Sequence, residues 1–284
     1  MNKIIVTGAN GFIGKNVVSY LEDRNYQVLK LSRDNGDITD PKLLSDFSNV
    51  SHVIHLAGKH FVPDSWEDPY EFMRVNFLGT QNIIDFCLKN RSRFIFASTY
   101  LYGFPEYNPI PESHPIFSNN PYALSKYFAE QSISFFCKHK DLDAKVLRLF
   151  NVYGHGQRNE YLIPSILNNI ETGKDIQVNS LIPRRDYVYI EDVVKSIILS
   201  LECRGKYDIF NIGSGVSHSV QDLIGLIKNI SKSNAKVVSK NIQRKNEVMN
   251  VIADIGYAKE KLGWIPDFTL EDGLRDIWLM RNSL

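Results

Sequence analysis

The chain has 284 residues, 43% hydrophobic and 23% charged, which is enough to bury the core of one large domain or two closely joined ones. A formal charge of +1 gives no global field for nucleic acid or a membrane surface, so any anion site must be built from local Arg and Lys. Cys87, Cys137 and Cys203 are widely spaced and form no C-x-x-C, no apolar run approaches a membrane span, and the first strand begins too early for a signal peptide; neither a disulfide framework nor a zinc site is indicated, and we expect a cytoplasmic protein.

Residues 3–7 are a short apolar run that predicts a buried strand. Gly8-Ala9-Asn10-Gly11-Phe12-Ile13-Gly14 follows, and a helix is expected from about Phe12 to Asp23. A G-x-x-G-x-x-G between strand and helix has a mechanical purpose: Gly8 permits the tight turn, Gly11 lets backbone approach a pyrophosphate, and Gly14 lets helix and strand pack closely, so that the helix N-terminus faces the phosphates. Further strands are expected at 28–31, 53–56, 94–96 and 146–150, with long helical patterns at about 69–90 and 121–139. Such alternation predicts βαβ units and a doubly wound parallel sheet. After Asn151 the alternation loosens, punctuated by Pro164, Gly173 and Pro183. Helices are expected near 190–204, 219–231, 254–261 and 269–281, the third capped by Asp254 and carrying Lys259 and Lys261 late. The reading is an α/β, Rossmann-like dinucleotide-binding domain of residues 1–150 plus about 186–212. A smaller C-terminal substrate-binding domain takes about 151–185 and 213–284.

The end of the second strand chooses the cofactor. An acidic residue there bonds the ribose hydroxyls of NAD, whereas arginine accommodates the 2′-phosphate of NADP. The chain has Leu31-Ser32-Arg33, with no carboxylate straight after Leu31, which favours NADP(H) over NAD(H); the alternative is that Arg33 only caps a strand in solvent. Asp37 and Ile38 are placed to flank the adenine, and Leu56-Ala57-Gly58 ends the third strand where small residues let the cofactor lie against backbone.

Tyr122 and Lys126 are four apart on an expected helix and so share a face. A free phenol titrates near pH 10, and a neighbouring ammonium is expected to pull it down into a working range. Ser98, at the end of the fourth strand, is placed to hold the reacting oxygen between itself and Tyr122. Each residue alone is commonplace; the glycine loop, the serine and the Y-x-x-x-K together point to hydride transfer with a tyrosine handling the proton.

These motifs are joined by Asn76-Phe77-Leu78-Gly79-Thr80, by Ala97-Ser98-Thr99-Tyr100-Leu101-Tyr102-Gly103, and by Arg148-Leu149-Phe150-Asn151-Val152-Tyr153-Gly154. Arg185-Asp186-Tyr187-Val188-Tyr189-Ile190-Glu191-Asp192 and Phe210-Asn211-Ile212-Gly213-Ser214-Gly215 continue the series. Over nearly its whole length the chain resembles the extended short-chain dehydrogenase/reductases of the nucleotide-sugar branch. The resemblance implies Ser98, Tyr122 and Lys126 as catalytic, with Lys126 also gripping the nicotinamide ribose, and Asn76 beside the cofactor. It implies that Asn151, Arg185 and Arg244 contact a nucleotide-sugar diphosphate, and that His60, Thr99 and Tyr100 lie near the sugar. Arg185 has an alternative as a structural partner of Asp186 or Asp192, and His60 as mere loop. The resemblance also implies a homodimer through the helices at about 69–90 and 121–139, with Cys87 and Cys137 as packing residues.

Three chemistries share such a scaffold. A 4,6-dehydratase needs an acidic pair after the catalytic Ser/Thr, where this chain has Thr99 and Tyr100. A 4-epimerase keeps a tightly held NAD, against which Ser32-Arg33 argues. The expectation is therefore NADPH-dependent reduction of a nucleotide-linked 4-keto-6-deoxysugar for a bacterial surface polysaccharide, with 4-epimerisation as the alternative. A non-catalytic NADP-sensing module is disfavoured by the retained Ser98, Tyr122 and Lys126, and a reductase of apolar ketones by the two arginines.

Overall fold

The computed structural model describes residues 3–242 and 247–283. Its centre is a six-stranded, all-parallel sheet whose strands lie in the order Gln27–Leu31, Lys3–Thr7, Val50–His55, Arg93–Thr99, Ala144–Leu149, Tyr207–Ile212. β1 (Lys3–Thr7), α1 (Phe12–Glu22) and β2 (Gln27–Leu31) form the first unit, followed by β3 (Val50–His55). α2 (Val62–Glu67), α3 (Pro69–Met73) and α4 (Gly79–Asn90) lead to β4 (Arg93–Thr99), then α5 (Pro121–His139) and β5 (Ala144–Leu149). α3 and α4 are not one continuous helix: Arg74–Leu78 forms a π-helical turn between them. The expected strands at 53–56 and 94–96 are longer than the apolar runs suggested, because their polar ends are paired as well.

Alternation of side chains along each strand feeds two cores. Ile4, Val6, Ile54, Ile95, Leu147 and Leu149 face α1 and a later helix, α7; Ile5, Val53, Phe94, Phe96 and Val146 face α4 and α5. Burial on both faces explains why the strands read as apolar runs. Cys87 and Cys137 are buried in the second of these cores.

After β5 come β6 (Asn151–Tyr153), α6 (Leu162–Glu171), β7 (Ile176–Val178), β8 (Arg184–Tyr189), α7 (Ile190–Glu202) and the last sheet strand, β9 (Tyr207–Ile212). β10 (Ser217–Ser219) completes a three-stranded sheet with β8 and β6, and β11 (Val237–Ser239), after α8 (Val220–Ser231), pairs with β7. α9 (Gly256–Leu262) and α10 (Leu270–Asn282) close the chain. A separate core joins α6, α8 and α10 with β7 and β8. α9 starts two residues later than expected: Ile255 occupies the cap position, and the Asp254 carboxylate accepts from the Gly256 N–H at 2.8 Å.

β1 sends its two neighbours, β2 and β3, to opposite sides. The crevice this opens at the carboxyl ends of the strands is where such sheets bind ligands.

Candidate active site

That crevice is a cleft of about 1660 Å³ between the parallel sheet and the α6/β7/β8 layer. A single small ligand occupies roughly 300–1,000 Å³, so there is room for two.

The glycine loop forms the floor at one end. Gly8 has φ +68°, and a Cβ there would sit 2.8 Å from the backbone of Leu56 and Ala57. α1 begins at Gly11 with no side-chain cap and no acidic residue in its first turn, leaving its N–H groups to the cleft. Asn10, Gly11, Phe12, Ile13 and Gly14 all line the cleft, as do Leu56, Ala57 and Gly58 across from them. This is the cradle a dinucleotide pyrophosphate needs, and the residues fit that group.

At the end of β2, Ser32 caps a single turn, Arg33–Asn35, by reciprocal bonds: its Oγ accepts from the Asp34 N–H at 3.2 Å and its N–H donates to Asn35 Oδ1 at 2.8 Å. Arg33 is exposed at the rim of the cleft. Asp34, which the sequence reading passed over, also lines it; its carboxylate accepts from Asn10 Nδ2 at 3.1 Å and from the Ser32 hydroxyl at 3.1 Å. The Asp37 carboxylate is taken up by Thr39 and by Arg74, and hydrogen bonds from Thr39, with Arg74 beside it, hold it below the usual carboxylate range. Asp37 and Ile38 still border the cleft.

Asn76, expected beside the cofactor, stands behind Gly58 and Lys59. Its side chain is buried and absent from the cleft wall: Oδ1 accepts from the Lys59 N–H at 2.8 Å, and Nδ2 donates to Lys59 O and Ser125 Oγ at 2.9 Å each. It ties the loop after β3 to α5, so it shapes the site from behind.

Asn120 caps α5 through a 2.8 Å bond from the Ala123 N–H, and Pro121 opens the helix. That start sets Tyr122 in the cleft, with Thr99 beside it. Lys126, one turn on and 6% exposed, lies with Nζ 4.3 Å from the centre of the Phe96 ring and beside Gly58. Ser98 also lines the cleft, and its buried Oγ has no hydrogen-bond partner among the described residues. An orphaned hydroxyl of this kind is a group waiting for a ligand.

The expected acidification of Tyr122 is not found. Burial pushes the phenol well above its ordinary value, opposed by Thr99. Burial also lowers Lys126 to about 7, against the pull of Glu130, so the lysine carries only part of its charge near neutrality. Desolvation is the largest influence on both groups. The phenol stays protonated, which is the donating form.

The far half of the cleft carries Asn151, Arg185, Tyr187 and Tyr161. Asn151 Nδ2 donates to Asp186 O at 3.1 Å. Arg185 forms an ion pair with Glu247 and donates to Val248 O at 2.6 Å. Its partner is thus neither Asp186, which accepts from the N–H groups of Ser214, Gly215 and Ala253, nor Asp192, which accepts from those of Asp267 and Phe268. Arg244 lies outside the described residues. His60 shares a 2.7 Å hydrogen bond with the Tyr161 hydroxyl, joining the two sides of the cleft, and burial together with Arg158 and Lys126 lowers its pKa. Tyr100 stacks on Phe150. Tyr161 and Glu247 lie in stretches without periodicity, where nothing local singles them out.

The model of the NAD dependent epimerase/dehydratase family matches residues 4–213. A dTDP-4-dehydro-6-deoxyglucose reductase of Escherichia coli is 31% identical, the match covering 96% of this chain and 95% of that protein. The crystal structure of UDP-glucose 4-epimerase with UDP-glucose from Thermotoga maritima superposes with a TM-score of 0.93 at 29% identity, covering 99% of both chains. The structure of RMD from Pseudomonas aeruginosa complexed with NADPH gives a TM-score of 0.89 at 27% identity, covering 99% of this chain and 100% of that one.

Proposed function

Because the chain belongs to the NAD-dependent epimerase/dehydratase family of nucleotide-sugar enzymes, we propose that it is the reductive member of the pair represented among its relatives: an NADPH-dependent reductase of a nucleotide-linked 4-keto-6-deoxysugar, serving deoxysugar and surface-polysaccharide synthesis. The observation that carries the reading is the chemistry where β4 meets α5. Thr99 and Tyr100 supply no carboxyl beside Ser98, so the proton-handling group there is a phenol that burial keeps protonated.

The glycine loop and the N-terminus of α1 would hold the pyrophosphate, Ser32 and Arg33 the adenosine ribose, and Lys126 the nicotinamide ribose. When bound, the reduced nicotinamide supplies a hydride to C4 of the sugar. Tyr122 gives its proton to O4 as charge develops there. Ser98 turns its unpaired hydroxyl to that oxygen and orients the carbonyl. Arg185, released from Glu247, and Asn151 anchor the diphosphate, with Arg244 as a second cation. That anchoring converts distant binding energy into alignment of the carbonyl.

The test is to incubate the chain with NADPH or NADH and a panel of nucleotide 4-keto-6-deoxysugars. One NADPH consumed per product supports reduction. Product without net cofactor loss overturns it in favour of 4-epimerisation, the second reading, which the Thermotoga maritima likeness favours.

The cofactor preference has a separate check. Replacing Arg33 with Ala is expected to raise KM for NADPH roughly ten- to hundredfold while leaving that for NADH nearly unchanged, the effect of losing charge-assisted bonds to one phosphate. Equal changes for the two cofactors would count against the preference.

We also propose a homodimer through α4 and α5. Leu78, Leu124, Phe128 and Phe135 are exposed on or beside these helices, and Phe77 packs on Phe128 at 6.2 Å between ring centres. An exposed apolar stripe of this kind marks an association surface. Phe128→Glu should convert a dimer to a monomer in sedimentation velocity; an unchanged sedimentation coefficient would refute this interface.

A further inference from the structure

We propose that Glu130 is a positioning residue for Lys126, and that its ion pair with Arg148 joins the catalytic helix to the loop bordering the cleft. Tyr122, Lys126 and Glu130 are spaced i, i+4 and i+8, so one face of α5 presents them in line. Glu130 is 1% exposed and Arg148 2%. The guanidinium grips the carboxylate by a fork, Nη2 donating to Oε2 at 2.7 Å and Nε at 3.1 Å.

Arg148 is placed by the sheet. Ser98 on β4, Arg148 on β5 and Asn211 on β9 are in register, a polar row at the carboxyl ends of three adjacent strands. Parallel partners in register share a face, so Arg148 is on the same side of the sheet as Ser98, beneath α5. Its Nη1 donates to the Tyr102 hydroxyl at 2.8 Å and to Glu112 O at 3.0 Å. The Tyr102 hydroxyl donates to Asn211 Oδ1, and Asn211 donates to Ile110 O and, from its backbone, to Glu112 Oε1. The segment from residue 100 to 114, which leaves the catalytic strand and returns toward α5, is thereby held at both ends by one buried network.

A buried ion pair is weak evidence for stability, since apolar side chains of similar size commonly serve as well. The placement of this one suggests its use. Lys126 faces the Phe96 ring from β4, His55 from β3 and His60 from the following loop; burial lowers the pKa of both histidines. Glu130 is the neighbouring group that opposes the loss of its proton. Around Glu130 itself stand Arg148 from β5, Tyr102 from the loop and Tyr207 from β9. Removing the carboxylate therefore leaves Lys126 less charged, and its hold on the phenol and the ribose weaker. This inference rests on the catalytic role given above to Lys126, but its test needs neither substrate nor cofactor.

The full chain is labelled with ¹³C at the lysine ε carbons, and Lys126→Met identifies the resonance. In the parent, Lys126 is expected to titrate near neutrality. In Glu130→Gln the midpoint should fall by about one pH unit, a tenfold change in the ratio of protonated to neutral lysine. Arg148→Met alone, which bares the carboxylate, should raise it. If Glu130→Gln unfolds, Arg148→Met and the double variant Glu130→Gln/Arg148→Met differ only in the carboxylate, and the midpoint of the double variant should lie about one unit lower. Equal midpoints in parent and folded Glu130→Gln, or in Arg148→Met and the double variant, overturn the proposal and leave the pair a structural tie. Absence of NADPH turnover in a parent whose Lys126 titrates as expected would instead count against the assigned reaction.

Discussion

Tyr122→Phe is expected to lower kcat by about 10²- to 10⁴-fold, the range a positioned general acid contributes, equivalent to roughly 3–5 kcal/mol in the barrier. The effect should fall on turnover, because the ring remains to fill its place against Phe72 and only the hydroxyl is lost. Cofactor affinity should change little, since Lys126 and the glycine loop are untouched. Stability should change little, because the ring packing is kept. Single-turnover reduction, read beside cofactor binding and a thermal melt, separates these contributions. Unchanged turnover would remove Tyr122 from the chemistry.

The second large effect concerns Gly14→Ala. A Cβ on Gly14 would overlap Gly8 O and lie 2.9 Å from Ala9 Cα. All the atoms it meets are backbone, so relief requires α1 to back away from β1. The gain of about 1 kcal/mol in helix propensity cannot offset overpacking of about 1–3 kcal/mol or more. Retreat of α1 also withdraws the N–H groups that face the pyrophosphate, so the dissociation constant for the dinucleotide should rise by about 10²-fold or more. Gly225→Ala in α8 is the internal control: nothing lies within 4 Å of its added methyl, and the variant should melt slightly higher with unaltered binding. Parent-like affinity in Gly14→Ala would mean that the helix terminus does not receive the phosphates.

Much of this architecture is legible from short-range pattern. The apolar runs at 3–7 and 28–31 and the helical run at 121–139 are set by local periodicity, and the corresponding elements of the fold agree within a residue. The cleft residues Gly8, Ser98, Tyr122 and Lys126 are legible because strand ends and one helix turn fix their positions within each unit. The orientation of Asn76 was not legible, because a motif names a position without saying which way its side chain turns; here the π-helical turn that contains it directs the amide onto Lys59 and Ser125. The direction of the Tyr122 shift was also illegible. Spacing gives the distance between phenol and ammonium, but burial decides which of the two gives way.

What the amino-acid order determined by itself is the βαβ alternation, the glycine loop at its first turn and the alignment of Tyr122 with Lys126, since these depend on residues a few positions apart. Only the tertiary structure decided that Arg185 meets Glu247, that His60 meets Tyr161 across the cleft, and that Arg148 stands in register with Ser98 and reaches Glu130. Those partners are separated by 18 to 101 residues. Their meeting depends on how sheet and helices pack, and on how much water that packing leaves around each charge, neither of which is encoded in any short window of the chain.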